Sequence, residues 1–434
     1  MRQRYDTYKD SGVQWLGEIP GHWEVLRIKN ICECYGRIGF RGYTTNDFVT
    51  EGCGAITISP SNMKDIKMDF SRCSYLSWKK YYESPEIQIK EGDVLFVKTG
   101  STYGKTSYVD YLPTASTINP QIVCFKNHKQ SPKFLAFLFN TKVGKMQVEF
   151  SLVGGTIPTI AQSKIVNYSF AFPPLSEQRS IVSYLDAKCG KIDEWVTKKQ
   201  KEVEHLQELK QRVIADAVTR GLNPHVKMKA TNIPWLKEIP EHWEVKPIRA
   251  ILRENTDKTE TGDEELLSLS QYTGISRKKD AAKIGMFEAE STVGYKKVHP
   301  GQFVMNIMLA WNGSYAVSEF EGIISPAYCV FDFISKDEKM YYNYLWRLSM
   351  YQGAFKTESR GIIDSRLRLY PSKFLPFPTI CPPIEEQKQI VSYLDAKCAK
   401  IDKLIANINK EIERIKEYKQ RLISDVVTGQ IKVC

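Results

Sequence analysis

Two stretches of the chain repeat apolar residues every seven positions. The first stretch carries this series at Leu185, Ile192, Leu206 and Val213, with Lys199 interrupting it. The second stretch is more regular and carries it at Leu394, Ile401, Ile408, Ile415 and Leu422. Since a further apolar series follows four residues later, the spacing predicts two coiled-coil helices, each about 45 residues or roughly 65 Å long. We expect the apolar stripes to pack against each other.

Residues that start and stop helices bound both stretches. Pro173-Pro174 ends the preceding segment, Ser176 can cap the first helix, and Glu177 places negative charge in its first turn. Gly221 follows the first stretch and Gly429 the second, where a helix C-terminus favours glycine. The long helices are therefore predicted to begin at about residues 175 and 384.

The segments before the long helices show the alternation of β-strands. Residues 91–100 (EGDVLFVKTG) indicate a turn, a strand and a glycine-containing loop, and residues 299–317 have the same order. One helix is predicted later in each segment, at residues 132–148 and 337–355. The two segments thus share a plan although their residues differ.

The chain also repeats parts of its own sequence. Residues 181–189 and 390–398 both read IVSYLDAKC, at an offset of 209 positions. Residues 15–25 (WLGEIPGHWEV) recur as 235–245 (WLKEIPEHWEV) at an offset of 220, so a shorter insert separates the motifs in the second half. We predict an α+β protein with a first mixed α/β domain at 1–174, a central helix at 175–221, a second domain at 222–383 and a C-terminal helix at 384–434.

Composition narrows the class of protein. The 434 residues are 42% hydrophobic, which is ordinary for a folded protein, and the length is too great for one core. No apolar run approaches the roughly 20 residues of a membrane helix, and residues 1–12 lack the apolar segment of a secretory signal. The 10 cysteines lack the paired spacing of zinc sites, so we expect reduced thiols in a cytoplasmic protein.

Charge and motifs bear on function. The net charge of +11 is compatible with a polyanionic partner. No GxxxxGK[ST] phosphate loop is present, and Gly52-Cys53-Gly54 lacks the third glycine of a dinucleotide site. Asn119-Pro120-Gln121-Ile122 is the nearest approach to a methyltransferase motif and lacks its second proline and its aromatic residue. At His22 and His242, beside tryptophan, we expect packing or a turn contact rather than catalysis.

Loops in both domains combine basic, aromatic and small polar residues, the types that contact phosphates and base edges. In the first domain, DNA contacts are predicted from Ser61, Asn62, Lys64, Lys98, Thr99, Ser101, Tyr103 and Lys105. In the second domain, they are predicted from Gln271, Tyr272, Arg277, Trp311, Asn312, Tyr315, Arg360, Arg366 and Arg368. Each loop alone is more typical of a solvated surface, and the prediction depends on finding such loops together and in both domains.

The order of these motifs resembles the specificity subunits of type I restriction–modification enzymes. Ser11-Gly12, residues 15–25, 173–186 and 382–395 carry the resemblance, which covers essentially the whole chain. The paired PP-x-x-EQ-x-x-IV-x-YLD segments are its most specific part. The second copy departs from the first at Thr231–Pro234, which leaves its local turn in doubt.

The resemblance implies that each domain is a target-recognition domain reading one half of a split DNA sequence. It also implies that the long helices pair antiparallel, with pseudo-two-fold symmetry, and fix the distance between the half-sites. Two modification (methyltransferase) subunits are expected to bind around the helices, with S-adenosylmethionine for adenine methylation. Restriction subunits are expected to add ATP- and Mg-dependent translocation and cleavage. This chain itself is expected to be no enzyme and to bind no cofactor or metal.

Two other functions stay open at this point. A self-contained nuclease or methyltransferase would need the catalytic motifs that the sequence lacks. A coiled-coil scaffold without a DNA role predicts that charge reversal at Arg360, Arg366 or Arg368 leaves DNA binding unchanged.

Overall fold

The computed structural model describes residues 3–153, 158–271, 274–280, 291–361 and 367–433. The chain divides into two compact units, one of residues 1–199 with 410–434 and one of residues 200–409. Each unit holds one mixed α/β domain, which we call a recognition domain after the expected role, together with part of the long helix that follows it and part of the other long helix.

The first unit contains two larger β-sheets and several strand pairs. Its strands are β1 (Tyr8–Asp10), β2 (Glu18–Pro20), β3 (Glu24–Arg27), β4 (Glu33–Gly36), β5 (Phe48–Val49), β6 (Gly54–Ile58), β7 (Met63–Lys64), β8 (Lys67–Met68), β9 (Ser74–Ser77), β10 (Gln88–Ile89), β11 (Val94–Val97), β12 (Thr106–Tyr108), β13 (Ser116–Ile118), β14 (Ile122–Lys126), β15 (Leu152–Val153), β16 (Thr159–Ile160) and β17 (Ser169–Phe172). The sheets have the orders β10-β13-β6-β9-β5 and β12-β11-β14-β4. Strands β6 and β13 are parallel, so both end at the same edge.

The helices of the first unit correct one prediction. They are α1 (Ile28–Ile31), α2 (Trp78–Tyr82), α3 (Pro132–Phe139), α4 (Lys142–Phe150), α5 (Gln162–Ile165) and the first part of α6 (Leu175–Arg220). The single helix predicted at 132–148 is wrong, because Thr141 starts a new helix by accepting a hydrogen bond from the Gly144 N–H at 3.2 Å. A Cβ at Gly144 would lie 2.3 Å from the Phe139 carbonyl oxygen, so the tight junction needs glycine.

The second unit repeats the four-stranded sheet of the first. Its strands are β18 (Met228–Ile233), β19 (Leu236–Pro240), β20 (Glu244–Pro247), β21 (Leu252–Asn255), β22 (Leu267–Ser270), β23 (Gly274–Arg277), β24 (Lys296–Val298), β25 (Phe303–Asn306), β26 (Tyr315–Val317), β27 (Gly322–Ile324), β28 (Tyr328–Phe333) and β29 (Pro378–Cys381). The order β26-β25-β28-β21 corresponds to β12-β11-β14-β4, which supports the predicted common plan.

The predicted helix of the second unit also divides. The unit contains the last part of α6, then α7 (Lys339–Trp346), α8 (Ser349–Glu358), α9 (Pro371–Phe374) and the first part of α10 (Ile384–Val427). The single helix predicted at 337–355 is wrong, because Leu348 adopts an extended backbone and buries its side chain between α7 and α8. The Tyr315 hydroxyl donates to the Trp346 carbonyl at the end of α7.

A β-hairpin lies near the start of each domain, and its turn differs between the two copies. In the first copy, β1 and β2 are joined through residues 11–17, and Ser11 N–H donates to the Gly17 carbonyl at 3.0 Å. In the second copy, Ile233 lies directly opposite Leu236, so the turn is shorter.

Each unit has its own aromatic-rich core. In the first unit, Phe96 and Phe125 of the four-stranded sheet pack with Phe139, and α6 adds Ile181 and Leu185. In the second unit, Phe303 and Phe331 pack with Trp346 and Phe374. The long helices therefore belong to the cores of the units and are not external supports.

The predicted apolar stripe lies on the inner side of the long helices. Leu185, Leu394, Ile401, Ile408 and Leu422 are buried, and Ile192, Leu206, Val213 and Ile415 are half-buried. Matching ion pairs accompany the stripe. In the first unit Lys419 Nζ lies 2.6 Å from Asp193 Oδ1, and in the second Lys210 Nζ lies 2.7 Å from Asp402 Oδ1. The offset of 209 relates the two pairs, and the numbering runs in opposite directions along the helices, as in an antiparallel pair.

The predicted fold class is confirmed. Two mixed α/β domains are each followed by a long helix, and segments of the two long helices pack together. Within the described ranges, no helix is long and apolar enough to cross a membrane.

Candidate nucleic-acid interface

Three loops of the first unit meet at the edge where β6 and β13 end. They are residues 59–62 after β6, residues 119–121 after β13, and residues 98–105 after β11. We name these residues the first loop cluster. Its joining hydrogen bonds run from Asn119 N to Ile58 O (2.9 Å), from Lys98 N to Gln121 O (2.8 Å) and from Lys105 Nζ to Pro60 O (3.3 Å).

Most of the DNA contacts predicted in the first domain fall in or beside this cluster. The side chains of Ser61, Lys64 and Ser101 are exposed, and those of Lys98, Thr99, Tyr103 and Lys105 are half-buried. Lys64 follows the cluster on β7, and its Nζ lies 4.0 Å from Asp69 Oδ2. Because this ion pair is exposed, breaking it costs little free energy. The cluster thus offers hydroxyl and ammonium donors suited to phosphate oxygens.

Asn62 differs from these neighbours because its side chain is buried. Its Oδ1 accepts from the Ser59 N–H at 3.0 Å, and its Nδ2 donates to the Asp69 and Arg72 carbonyls at 3.1 and 2.8 Å. These hydrogen bonds join the Asn62 amide to three backbone groups of the same loop and so stabilise the conformation of the loop. We therefore do not include Asn62 among the proposed DNA contacts.

Two further polar residues of the cluster were missed by the sequence reasoning. Asn119 and the exposed Gln121 are joined by a 3.2 Å hydrogen bond from Asn119 Nδ2 to Gln121 Oε1. By sequence pattern, the segment resembles only an incomplete methyltransferase motif. The signal that could have identified it is its position, because the loop after a strand parallel to β6 must lie beside the loop after β6.

The second unit also brings candidate residues together. Gln271 directly follows β22, and residues 307–314 follow β25; Asn312 Nδ2 donates to Gln271 Oε1. Arg360 and Arg368 exchange two backbone hydrogen bonds of 2.9 Å, and the next residue, Leu369, donates its N–H to the Ile307 carbonyl at 2.9 Å. We name Gln271, residues 307–314, Arg360 and Arg368 the second loop cluster.

Trp311 and Asn312 occupy a short 3₁₀ turn in this cluster. The Trp311 indole N–H donates to the Met308 carbonyl at 3.1 Å, which fixes the ring. Lys356 on α8 places its Nζ 4.8 Å from the Trp311 ring centroid, a cation–π contact that brings positive charge to the cluster.

Tyr315 was predicted as a DNA contact, but its side chain is fully buried. Its ring packs on Phe303 and Phe355, and burial raises the pKa of its hydroxyl. Its backbone carbonyl accepts from Arg347 Nη2 at 2.7 Å. Because this residue supports the core, we do not include it among the proposed DNA contacts.

Arg277 lies on β23 beside another cation. Arg277 Nε is 3.3 Å from Glu265 Oε2, and Lys279 Nζ is 2.8 Å from Glu265 Oε1. The hydrogen bond from Lys279, with both positive charges, lowers the pKa of Glu265. One carboxylate faces two cations, so this strand end keeps a net positive charge.

The basic segment near residue 360 is described in part. Arg360 is exposed and Arg368 half-buried, and their paired backbones hold the two ends of the segment together. Tyr272 and Arg366, which were also predicted DNA contacts, lie outside the described residues.

The duplicated HWEV and Glu-Gln motifs form the same contact in both units. In the first unit, Glu177 accepts from the Trp23 indole N–H at 3.2 Å, and its Oε2 lies 2.7 Å from His22 Nε2. In the second unit, Glu386 makes these contacts with Trp243 and His242 at 2.9 and 2.5 Å. We name this arrangement the glutamate clamp. It agrees with the expected packing role of the two histidines.

The glutamine beside each of these glutamates is fully buried and holds the recognition domain. Gln178 accepts from the N–H of Ser131, the residue that caps α3, at 2.9 Å. Gln387 accepts from the N–H of Glu338, which caps α7, at 2.8 Å. We name these contacts the glutamine clamp. Together, the clamps connect the start of each long helix to the hairpin and to the helical layer of its domain.

Two buried cysteines of the first unit are held as neutral thiols. Burial raises the pKa of Cys32 and Cys124 to about 12, which disfavours the nucleophilic thiolate. In the described ranges, no cluster of His, Cys, Asp or Glu side chains is arranged to hold a metal ion.

Comparison with known proteins identifies the family. Residues 20–205 and 240–414 match the family model described as the type I restriction modification DNA specificity domain. The chain belongs to the type I restriction–modification specificity family. The type I restriction enzyme MjaVIII specificity subunit of Methanocaldococcus jannaschii is 25% identical over 445 residues, covering 96% of this chain and 94% of that protein. The type I restriction enzyme EcoDI specificity subunit of Escherichia coli is 21% identical over 303 residues, covering 64% and 66% of the two chains.

A solved structure shares the fold of this specificity subunit. It is a chain from work on the complex assembly and conformational transition of a type I restriction–modification system, 17% identical, with a TM-score of 0.65. The alignment covers 94% of this chain and 98% of that chain. The predicted family and the general role in DNA recognition are confirmed, and subunits of this family are generally non-catalytic. The individual DNA contacts stay predictions.

Proposed function

We propose that this specificity subunit reads a split DNA sequence, one half with the first loop cluster and the other with the second. The supporting observation is that equivalent clamps occur in both units, whereas the two loop clusters differ. Since the His, Trp, Glu and Gln residues of the clamps repeat while the loops differ, each unit can carry its own base preference. Exposed donors in both clusters suit phosphate and base-edge contacts.

We propose further that the long helices fix the gap between the half-sites. Helix α6 has 46 residues and α10 has 44, and each is continuous. At ~1.5 Å per residue, such helices are roughly 65–70 Å long. A continuous helix holds a separation that a flexible linker of the same length would not. Inserting residues near Gly221 is expected to lengthen the gap and leave both half-sites intact.

The expected partners are two modification (methyltransferase) subunits. Several residues are identical at the offset of 209 and exposed in both copies, so packing within the chain does not explain their identity. A surface that occurs twice suits two copies of one partner. These pairs are Ser183 and Ser392, Lys188 and Lys397, Lys191 and Lys400, Gln211 and Gln420, and Arg212 and Arg421.

Charge reversal tests this surface. Arg212→Glu or Arg421→Glu is expected to reduce the methyltransferase stoichiometry from two subunits to one, and the double variant should abolish binding, as measured by native mass spectrometry. Lys198→Glu is the control, because Lys198 is exposed but aligns with Asn407. Unchanged stoichiometry in the double variant would refute the proposed surface.

We place the cofactors on the partners. S-adenosylmethionine belongs with the methyltransferase subunits, and ATP and Mg with restriction subunits where these are present. This proposal agrees with the missing catalytic motifs in the sequence of this chain.

The test of the proposed function is a methylation map of DNA from cells that express this chain with its methyltransferase subunit. We expect a split motif with methyladenine in each half and a fixed gap. A continuous motif would contradict reading by two units. Methylation that does not depend on this chain would refute its role in specificity.

A further inference from the structure

An amide pair in the second loop cluster joins two loops that are distant in sequence. Asn312, in the 3₁₀ turn after β25, and Gln271, at the end of β22, are 41 positions apart, and Asn312 Nδ2 donates to Gln271 Oε1. Asn312 is exposed and Gln271 is half-buried. The pair therefore lies at the surface of the cluster.

Arg347 and Gln352 support the two loops that carry the amide pair. Arg347 Nη1 donates to the Gln271 backbone carbonyl at 3.4 Å, which fixes the loop at that residue. Beside Asn312, Gly313 has φ +81°, and a Cβ there would lie 2.6 Å from Gln352 Nε2. Gln352 Nε2 in turn donates to the Arg347 carbonyl at 3.1 Å. Because both loops rest on the same arginine segment, their amides are preorganised.

The shared hydrogen bond determines which groups remain for a ligand. A carboxamide has one oxygen acceptor and two N–H donors. The bond uses one of the two N–H groups of Asn312 Nδ2 and the Gln271 oxygen, and within the described residues no protein partner engages Gln271 Nε2 or Asn312 Oδ1. The pair offers the Gln271 amide donor beside the Asn312 oxygen acceptor, and the second N–H of Asn312 remains as a further donor. Exchanging the oxygen and nitrogen positions of both amides gives the same result.

Adenine alone among the bases carries the complementary pattern on its own major-groove edge. Its N7 accepts a hydrogen bond and its N6 amino group donates one, whereas guanine presents two acceptors. We propose that Gln271 and Asn312 act as one unit that reads an adenine in the half-site of the second unit. This inference rests on the proposed function. Since a base must leave the stack to be methylated by a partner, the adenine read here is not the methylated one.

The first unit provides a contrasting amide pair. Asn119 Nδ2 donates to Gln121 Oε1 at 3.2 Å, but the Gln121 backbone N–H also donates to Asn119 Oδ1 at 3.0 Å. Both oxygens are engaged, so this pair presents donors only. It does not match adenine, and it is the matched control for the pair in the second unit.

The experiment uses the full chain with its methyltransferase subunit and has two readouts. Methylation mapping defines the wild-type motif, and competition binding against half-site libraries measures base preference at each position. Gln271→Ala, Asn312→Ala and the double variant should each lose about 10- to 100-fold of preference at one unmethylated A·T pair. The double variant should lose no more than the single variants, because the two residues act together.

Further variants separate base reading from damage to the loop. Gln271→Glu keeps the oxygen that accepts from Asn312 but replaces the outward donor with an acceptor, so it should lose the same preference with an unchanged melting temperature. Asn232→Ala, an exposed amide on β18, should leave the motif unchanged. Gln121→Ala should act only on the other half-site.

Each outcome decides between distinct conclusions. A split wild-type motif whose Gln271 and Asn312 variants keep every preference would overturn the adenine inference and leave the proposed function standing. Relaxation at a G·C pair, or in the same half-site that Gln121→Ala affects, would also overturn it. A wild-type map without a split motif would refute the proposed function together with this inference.

Discussion

The glutamine clamp gives a sharp test of what holds each recognition domain to its long helix. Gln387 is fully buried, and its side chain makes three hydrogen bonds of 2.8 Å, to the Glu338 N–H, the Asp337 carboxylate and the Pro382 carbonyl. The perturbation is Gln387→Ala. The control is Gln389→Ala, an identical change at an exposed position on the same helix.

The structure sets the expected magnitude. A neutral hydrogen bond contributes about 1 kcal/mol net and one to a charged group about 1.5–3 kcal/mol, and a buried group left without a partner costs about 1–3 kcal/mol. The three bonds share one side chain, so their free energies do not simply add. We expect Gln387→Ala to lower the free energy of opening α7 by about 3 kcal/mol, and Gln389→Ala to change it by less than about 0.5 kcal/mol.

Hydrogen–deuterium exchange of the full chain measures this local opening without requiring that the two units unfold together. A loss of about 3 kcal/mol corresponds to roughly 100-fold faster exchange of the α7 amides. The Gln389→Ala chain should exchange within about twofold of wild type. If the two variants exchanged α7 equally fast, the clamp would not anchor the domain and the reasoning would be wrong.

Three further predictions concern charge. Burial lowers the pKa of His128 from its ordinary 6.5. The first unit should therefore lose stability as pH falls below about 6.5, because the unfolded chain takes up the proton first. His128→Gln should flatten this dependence, as measured by hydrogen exchange of α3 at pH 7 and 5.5. Arg360→Glu should weaken DNA binding and reduce its salt slope by about 1, whereas a scaffold without a DNA role predicts no change in filter binding. A double-mutant cycle on Asp193 and Lys419 should give a coupling of about 0.5–1 kcal/mol in denaturant melts, since the pair is partly exposed; a value near zero would remove it from the helix contact.

The sequence was sufficient for features that depend on local periodicity and on self-comparison. The apolar stripe predicted α6 and α10 because every seventh residue faces the same side over many turns. The helices before them were predicted as single segments. Their breaks at Thr141 and Leu348 depend on a cap and on a buried leucine, and hydrophobic pattern alone reveals neither.

The loop clusters were predictable only in part, for a physical reason. Residue type identifies side chains that can contact DNA, but not their direction. Asn62 and Tyr315 carry suitable groups, yet both side chains are buried. Each donates a hydrogen bond to a backbone carbonyl inside its unit. The pairing of Gln271 with Asn312 joins separate loops, so it depends on the tertiary fold and no local pattern contains it.

The two recognition domains share the same clamps and the same pairing of their end strands, although the segments between these strands differ. Strand β3 pairs with β17 so that Glu24 lies opposite Phe172, and β20 pairs with β29 so that Glu244 lies opposite Cys381. These positions correspond under the same offsets of 220 and 209 that relate the motifs. The first and last strands of each recognition domain are therefore held side by side, whatever lies between them.

This pairing makes each recognition domain exchangeable in principle. Replacing residues 28–168, between β3 and β17, with the corresponding segment of a relative leaves the strand register and the glutamate clamp unaltered. The glutamine clamp is kept if the new segment supplies a backbone N–H at the position of Ser131. We expect such a chimera to change one half-site in the methylation map and to keep the gap and the other half-site. If both half-sites changed, reading by one unit would depend on the other, and the clamps would not isolate the two domains. Because the long helix contacts the two end strands and the start of α3 rather than the loop cluster, sequence divergence in the loops need not disturb the helices that we propose set the gap.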